Sequence, residues 1–179
     1  MADARPNYPR VAPGAVNPGP NSLQNSEDKR GPGLKFPPPL LVVATIGPGY
    51  LIDSIKPLPI LNSDFVWLSG TALIVAAVLL ALVALFHFLE LKTHVEPWHP
   101  TTTIIKQGVY RFSRNPIYLA FCIATVGCGL VLNSWWVLMA VLPLILLLQQ
   151  LVIKREEVYL ERKFGEVYLD YKHQVRRWF

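Results

Sequence analysis

Charge is scarce in this sequence. Of 179 residues, 16% are Asp, Glu, Lys or Arg and 52% are hydrophobic, with a mean hydropathy of +0.33. Soluble globular chains carry about 25% charged residues, so a membrane protein is the better class, with lipid rather than a soluble core covering the apolar faces. Cysteine is nearly missing as well. Cys122 and Cys128 form no Cys-x-x-Cys pair and fall inside one apolar block. That sets aside a disulfide framework and a thiolate metal site and leaves packing of small, polarisable side chains. His87, His94 and His99 match no ligand spacing, so interfacial or solvated histidines are expected and no metal. No basic patch is interleaved with stacking aromatics, which excludes nucleic acid as a partner. Gly127-Cys128-Gly129 lacks a preceding strand and a third glycine, so it is not a dinucleotide fingerprint. There is no basic start leading to an apolar h-region, no Met-Gly start for acylation and no repeat of solenoid length.

What is present is a series of apolar blocks, one domain by length. Residues 1–39 hold nine of the sixteen prolines and four of the eleven glycines. Few large apolar residues accompany them, so this segment is expected to be disordered. The membrane domain is expected over 40–179. Spans are placed at 40–55, broken by Gly47-Pro48-Gly49, and at 65–89, whose 25 residues carry no charge. Two more are placed at 117–132 and 135–153, a tight helical hairpin joined by Asn133-Ser134. The stripe of Ala120, Ala124 and Cys128, with Gly127 beside it, suits close helix packing, and Pro143 is placed to kink the fourth span. The tail 154–179 reads as an amphipathic helix, lying on the membrane or folded back as a lid. With four spans, 16 of the 17 Lys and Arg fall on one side. By the positive-inside rule both termini are then cytoplasmic.

Two polar stretches flank the hairpin. The first runs Gly108-Val109-Tyr110-Arg111-Phe112-Ser113-Arg114-Asn115-Pro116-Ile117-Tyr118. Gly108 can take φ > 0 or admit a ligand close to the backbone. Pro116 suits the first turn of a helix, whose free N–H groups favour an anion, and Arg114 adds a cation. A basic cytoplasmic loop with interfacial tyrosines has the same composition. The second stretch runs from Arg155-Glu156-Glu157 through Phe164-Gly165 to Tyr168 and Tyr171. Pairing of its glutamates with Lys154, Arg155 or Arg162 at the surface is the plain account of them.

The pattern Gly-x-Tyr-x-x-x-Arg-Asn-Pro-x-Tyr followed by Glu-Glu-x-x-Leu-x-x-x-Phe-Gly-x-x-Tyr-x-x-Tyr resembles the integral-membrane methyltransferases grouped with isoprenylcysteine carboxyl methyltransferase and the phospholipid N-methyltransferases. The resemblance covers about 93–179. It implies S-adenosylmethionine as methyl donor, entering from the cytoplasm, and a lipophilic acceptor arriving from the bilayer. It places donor contacts at Thr102, Thr103, Ile104, Ile105, Tyr110, Asn115, Pro116, Ile117, Tyr118 and Glu156, to which the loop's own chemistry adds Gly108 and Arg114. Glu156 would accept from the donor's ammonium and Arg114 would meet its carboxylate. Two positions depart from the family. Asn115 stands where His is usual, so no general base is assigned there. Val152 stands where the prenylcysteine enzymes carry an Arg for the acceptor carboxylate, which leaves Arg155 as its substitute. The leading expectation is an isoprenylcysteine-type carboxyl methyltransferase. A phospholipid amine or small thiol acceptor stays open, as do an NADPH-dependent membrane reductase and a non-catalytic membrane protein.

Overall fold

Proline sets the start of two of the helices. The structure, a computed structural model, describes residues 15–16, 32, 36–61, 63–90 and 103–178. Helices α1 (Pro39–Ile55) and α3 (Pro116–Val131) both open on proline, where a missing N–H loses no helical bond. Between them lies α2 (Asp64–Glu90), apolar throughout. The fourth apolar stretch is one helical run, Trp135–Phe164, that changes its winding. A turn at Ala140 separates α4 (Trp135–Met139) from α5 (Val141–Leu147), a π-helical segment spans Leu148–Ile153, and α6 (Lys154–Phe164) completes the run. Pro143 accounts for the turn, because its ring conflicts with a helical carbonyl at Met139, four residues earlier. The tail is not one helix as expected. It breaks at Gly165, with φ of +53°, and α7 (Glu166–Gln174) folds back from that corner.

The four apolar stretches alternate in direction, and polar side chains tie one end together. Ser134 Oγ donates to Asp53 Oδ1 at 2.7 Å. Asn133 Oδ1 accepts from the N–H groups of Ile60 and Leu61, each at 3.0 Å. Trp135 N–H donates to Leu58 O at 3.0 Å. The α1–α2 connection and the α3–α4 turn therefore share one end, and the two motifs meet at the other. Two helical runs, Asp64–Glu90 and Trp135–Phe164, are long and apolar enough to cross a membrane. With 17 and 16 residues, α1 and α3 reach only about 26 and 24 Å at 1.5 Å per residue.

The small residues of α3 do bring helices close. Gly127 faces α2 rather than its hairpin partner, and a Cβ built on it would lie 2.8 Å from Gly70 O. The hairpin instead closes at Gly129, where an added Cβ would lie 2.6 Å from Leu138 Cα. Leu144, Leu148, Val152 and Ile153 are inaccessible and pack with Leu41, Tyr118 and Cys122. Outward positions such as Leu79, Leu82, Phe86 and Leu146 remain exposed, an apolar face suited to lipid.

Near the motif end, strand β1 (Ala15–Val16) pairs antiparallel with β2 (Ile104–Ile105). The segment expected to be disordered thus holds a short ladder at this point. Most of its remainder lies outside the described residues, as do His94, His99 and Thr102.

Candidate functional site

The two motifs enclose a cleft where α2 ends, α3 begins and α6 leaves the apolar bundle. Its empty space is about 870 Å³, counting the mouth that opens to solvent. Phe88, Thr103, Ile104, Ile105 and Tyr110 form one wall. Arg114, Asn115, Pro116, Ile117 and Tyr118 form the second, and Glu156, Glu157, Tyr159 and Leu160 the third. Tyr168 and Tyr171 of α7 complete it, so the tail folds back over the site as a lid.

Gly108 is not part of the lining. It opens a 3-10 turn, Gly108–Arg111, with φ of +57°, and a Cβ there would fall 2.0 Å from His87 Nε2. His87 is itself anchored, with Nδ1 2.7 Å from Val83 O. The glycine therefore serves a close crossing against α2 rather than a ligand, and the turn it permits sends Tyr110 inward. Gly108→Ala should cost about 1–3 kcal/mol of stability, from the left-handed backbone and the displaced imidazole. Thermal unfolding in detergent measures this, and an unchanged transition would contradict it.

Six aromatic rings stand among the lining residues. Tyr110 packs edge-on against Phe88, with centroids 5.8 Å apart, and its carbonyl accepts from Tyr171 Oη at 2.7 Å. Burial raises the pKa of both phenols. Tyr168 is pushed up to about 12 by burial and by the nearby Glu157 carboxylate. These hydroxyls stay protonated at physiological pH, so they donate hydrogen bonds and do not act as bases.

The charged groups fall into two sets. In the first, Glu156 accepts from Tyr118 Oη at 2.6 Å and pairs with no cation among the described residues. In the second, Glu157 is buried between two guanidiniums. Arg177 donates to both of its oxygens, Nε at 2.9 Å and Nη2 at 2.6 Å. Arg114 Nη1 stands 3.1 Å from Glu157 Oε1 and 3.4 Å from Tyr168 Oη. Arg114 Nε is buried with no partner among the described residues, a costly state for a guanidinium N–H unless something else binds there.

Of the residues expected at the site, Thr103, Ile104, Ile105, Tyr110, Arg114, Asn115, Pro116, Ile117, Tyr118 and Glu156 come together in this cleft. Arg155 does not. It is exposed on α6 and lines no part of the cleft, because the inward positions of that turn belong to its two neighbouring glutamates. Asn115 has a task the sequence did not suggest: its Nδ2 donates to Arg177 O at 3.1 Å and so holds the C-terminal segment. Glu157, Tyr159, Tyr168, Tyr171 and Arg177 were not expected at the site. The tandem Glu-Glu and the i, i+3 spacing of the two α7 tyrosines carried a signal for Glu157, Tyr168 and Tyr171, whereas nothing singled out Tyr159, or Arg177 among several tail cations.

The result is a helical membrane protein with opposite charges and tyrosines gathered around a cleft at one end of its bundle. The chain belongs to the phospholipid methyltransferase family, whose sequence pattern it matches over residues 65–167. That span takes in α2, the loop motif, the hairpin and the Glu-Glu motif. The chain is also 40% identical over 62 residues to an uncharacterized protein of Haemophilus influenzae, an alignment covering 35% of this chain and 98% of that protein.

Proposed function

We propose that this protein methylates a lipophilic acceptor at the membrane, with S-adenosylmethionine as donor. The observation that carries the proposal is the pairing, in one cleft, of the Glu156 carboxylate with an Arg114 guanidinium that has an unpartnered buried Nε. A zwitterionic amino-acid tail is complementary to that pair. Glu156 would accept from its ammonium, while Arg114 would donate to its carboxylate. The rings of Tyr110 and Tyr118 offer faces for a sulfonium or a base. When bound, the donor supplies a methyl group on a sulfonium leaving group. The residues around it have to orient the acceptor and exclude water, which the apolar wall of Phe88, Ile104, Ile105 and Ile117 is suited to do.

The acceptor is best matched by an amine. Val152, at the place of the prenylcysteine enzymes' arginine, is fully buried in the apolar core. Arg155 is exposed outside the cleft, and Arg114 is shared with Glu157. Among the described residues that line the cleft, no cation besides Arg114 stands ready for an acceptor carboxylate. This shifts the preference from the isoprenylcysteine type to a phospholipid headgroup amine, in keeping with the family's description. An ammonium must lose its proton before attack, and water at the open mouth of the cleft would take it. Four crossings with both termini and the cleft on the cytoplasmic side agree with the alternating helices and with the grouping of basic residues. Labelled methyl donor, offered with phosphatidylethanolamine vesicles and with a synthetic prenylcysteine, tests the choice. Label is expected in the phospholipid, and base-labile label in the prenylcysteine would overturn it.

A further inference from the structure

The Arg114–Glu157–Arg177 group has one feature that cofactor contact alone does not explain. Two of its members line the cleft, while Arg177 lies on the C-terminal segment and is absent from the lining. That segment is strapped across the loop motif. Arg114 N–H donates to Arg176 O at 3.1 Å, Asn115 Nδ2 donates to Arg177 O, and Val175 is buried with Ile104, Phe164, Tyr168 and Tyr171. Arg177 engages both Glu157 oxygens, whereas Arg114 reaches one of them through a single nitrogen. The side chains of Arg114 and Glu157 are each 8% exposed and that of Arg177 is 28% exposed, so water screens the inner pair weakly.

Two cations and one carboxylate leave the group with a net charge of +1. Without Arg177 the inner pair would be neutral. Arg114 would then be free to turn its fork onto Glu157, the arrangement a guanidinium and a carboxylate prefer. We infer that Arg177 is a positioning residue: by occupying the Glu157 carboxylate, it keeps the Arg114 guanidinium available to the carboxylate end of the methyl donor's amino-acid tail. This rests on the donor reading above, and adds that donor affinity depends on a charge outside the cleft.

Calorimetric titration of the full-length protein in detergent tests it with two ligands. S-adenosylhomocysteine carries the amino-acid tail, and 5′-methylthioadenosine lacks it. Arg177→Gln should weaken S-adenosylhomocysteine about tenfold and leave methylthioadenosine unchanged, since only the first presents a carboxylate. The double variant Glu157→Gln with Arg177→Gln restores the +1 charge. It should bring S-adenosylhomocysteine back to within about threefold of wild type. A strap that merely supports the fold predicts equal losses for both ligands and no recovery in the double variant, and that pattern would overturn the inference. Unchanged S-adenosylhomocysteine affinity in Arg177→Gln would overturn it too. If glutamine at 177 prevents folding, Arg177→Lys decides. With the charge kept but the two-point fork lost, S-adenosylhomocysteine should weaken by about threefold and methylthioadenosine not at all, whereas a tenfold loss for both ligands would count against the role. Wild-type protein that binds neither ligand would overturn the donor reading itself, and Arg177's role with it.

Discussion

Glu156→Gln should weaken S-adenosylhomocysteine binding by about 10- to 150-fold while leaving the protein folded. The range comes from hydrogen bonds to a charged group, worth about 1.5–3 kcal/mol, with each 1.4 kcal/mol a factor of ten. Glutamine keeps the shape of the side chain and an oxygen that accepts from Tyr118 Oη, so the contact at 2.6 Å has a substitute. The substitution removes the negative charge that meets an ammonium. The control is Glu161→Gln. Glu161 pairs with Lys172 at a position one-third exposed and away from the cleft, where ion pairs contribute about 0–1 kcal/mol. Its variant should bind like wild type. Equal losses in the two variants would show that the effect is general acidity of the tail rather than a contact made by Glu156.

The ends of the apolar stretches were legible because proline marks them. Pro39, Pro116 and the Asn133-Ser134 turn fall within a residue or two of the observed boundaries. The loop and Glu-Glu motifs also met as expected, since both sit at the same end of an antiparallel hairpin and geometry leaves little choice. Three features were not legible. The partner of Gly127 could not be read, because a small residue says that something approaches closely but not which helix does. Which residues of α6 face inward could not be read either: Glu157 turns into the cleft, while Arg155 stays exposed outside it. Adjacent residues on a helix differ by about 100° in direction, and the π-helical Leu148–Ile153 segment shifts the phase of the helical turns beyond it. A strict 3.6-residue count from the fourth span therefore misplaces the inward face of α6. The strap over the loop was hidden because its bonds are largely accepted by the backbone carbonyls of Arg176 and Arg177, and carbonyls have no sequence signature.

The crossing of α2 and α3 should tolerate little added volume. At Gly127 an added Cβ would meet Gly70 O and Ile74 Cγ1, each at 2.8 Å, and Ile74 N at 3.1 Å. Two of these are backbone atoms of a long helix, so relief requires α2 and α3 to move apart along their contact. Gly70 presents the reciprocal obstacle, with Gly127 O at 2.8 Å. Gly127→Ala should therefore cost about 1–3 kcal/mol, the range for overpacking a close contact, and Gly127→Leu more. The comparison that isolates the crossing is Gly47→Ala on α1, where nothing lies within 4 Å of the new carbon. There the gain in helix propensity acts alone, and stability should hold or rise by up to about 1 kcal/mol. Reversible unfolding of both variants in mixed micelles reads the difference. The crossing also bears on the site, because α2 carries Phe88 into the cleft wall and α3 carries Tyr118. A shift of one against the other should loosen ligand binding in Gly127→Ala and not in Gly47→Ala. If the two alanine variants unfold alike, the Gly70–Gly127 contact does not fix how these helices pack.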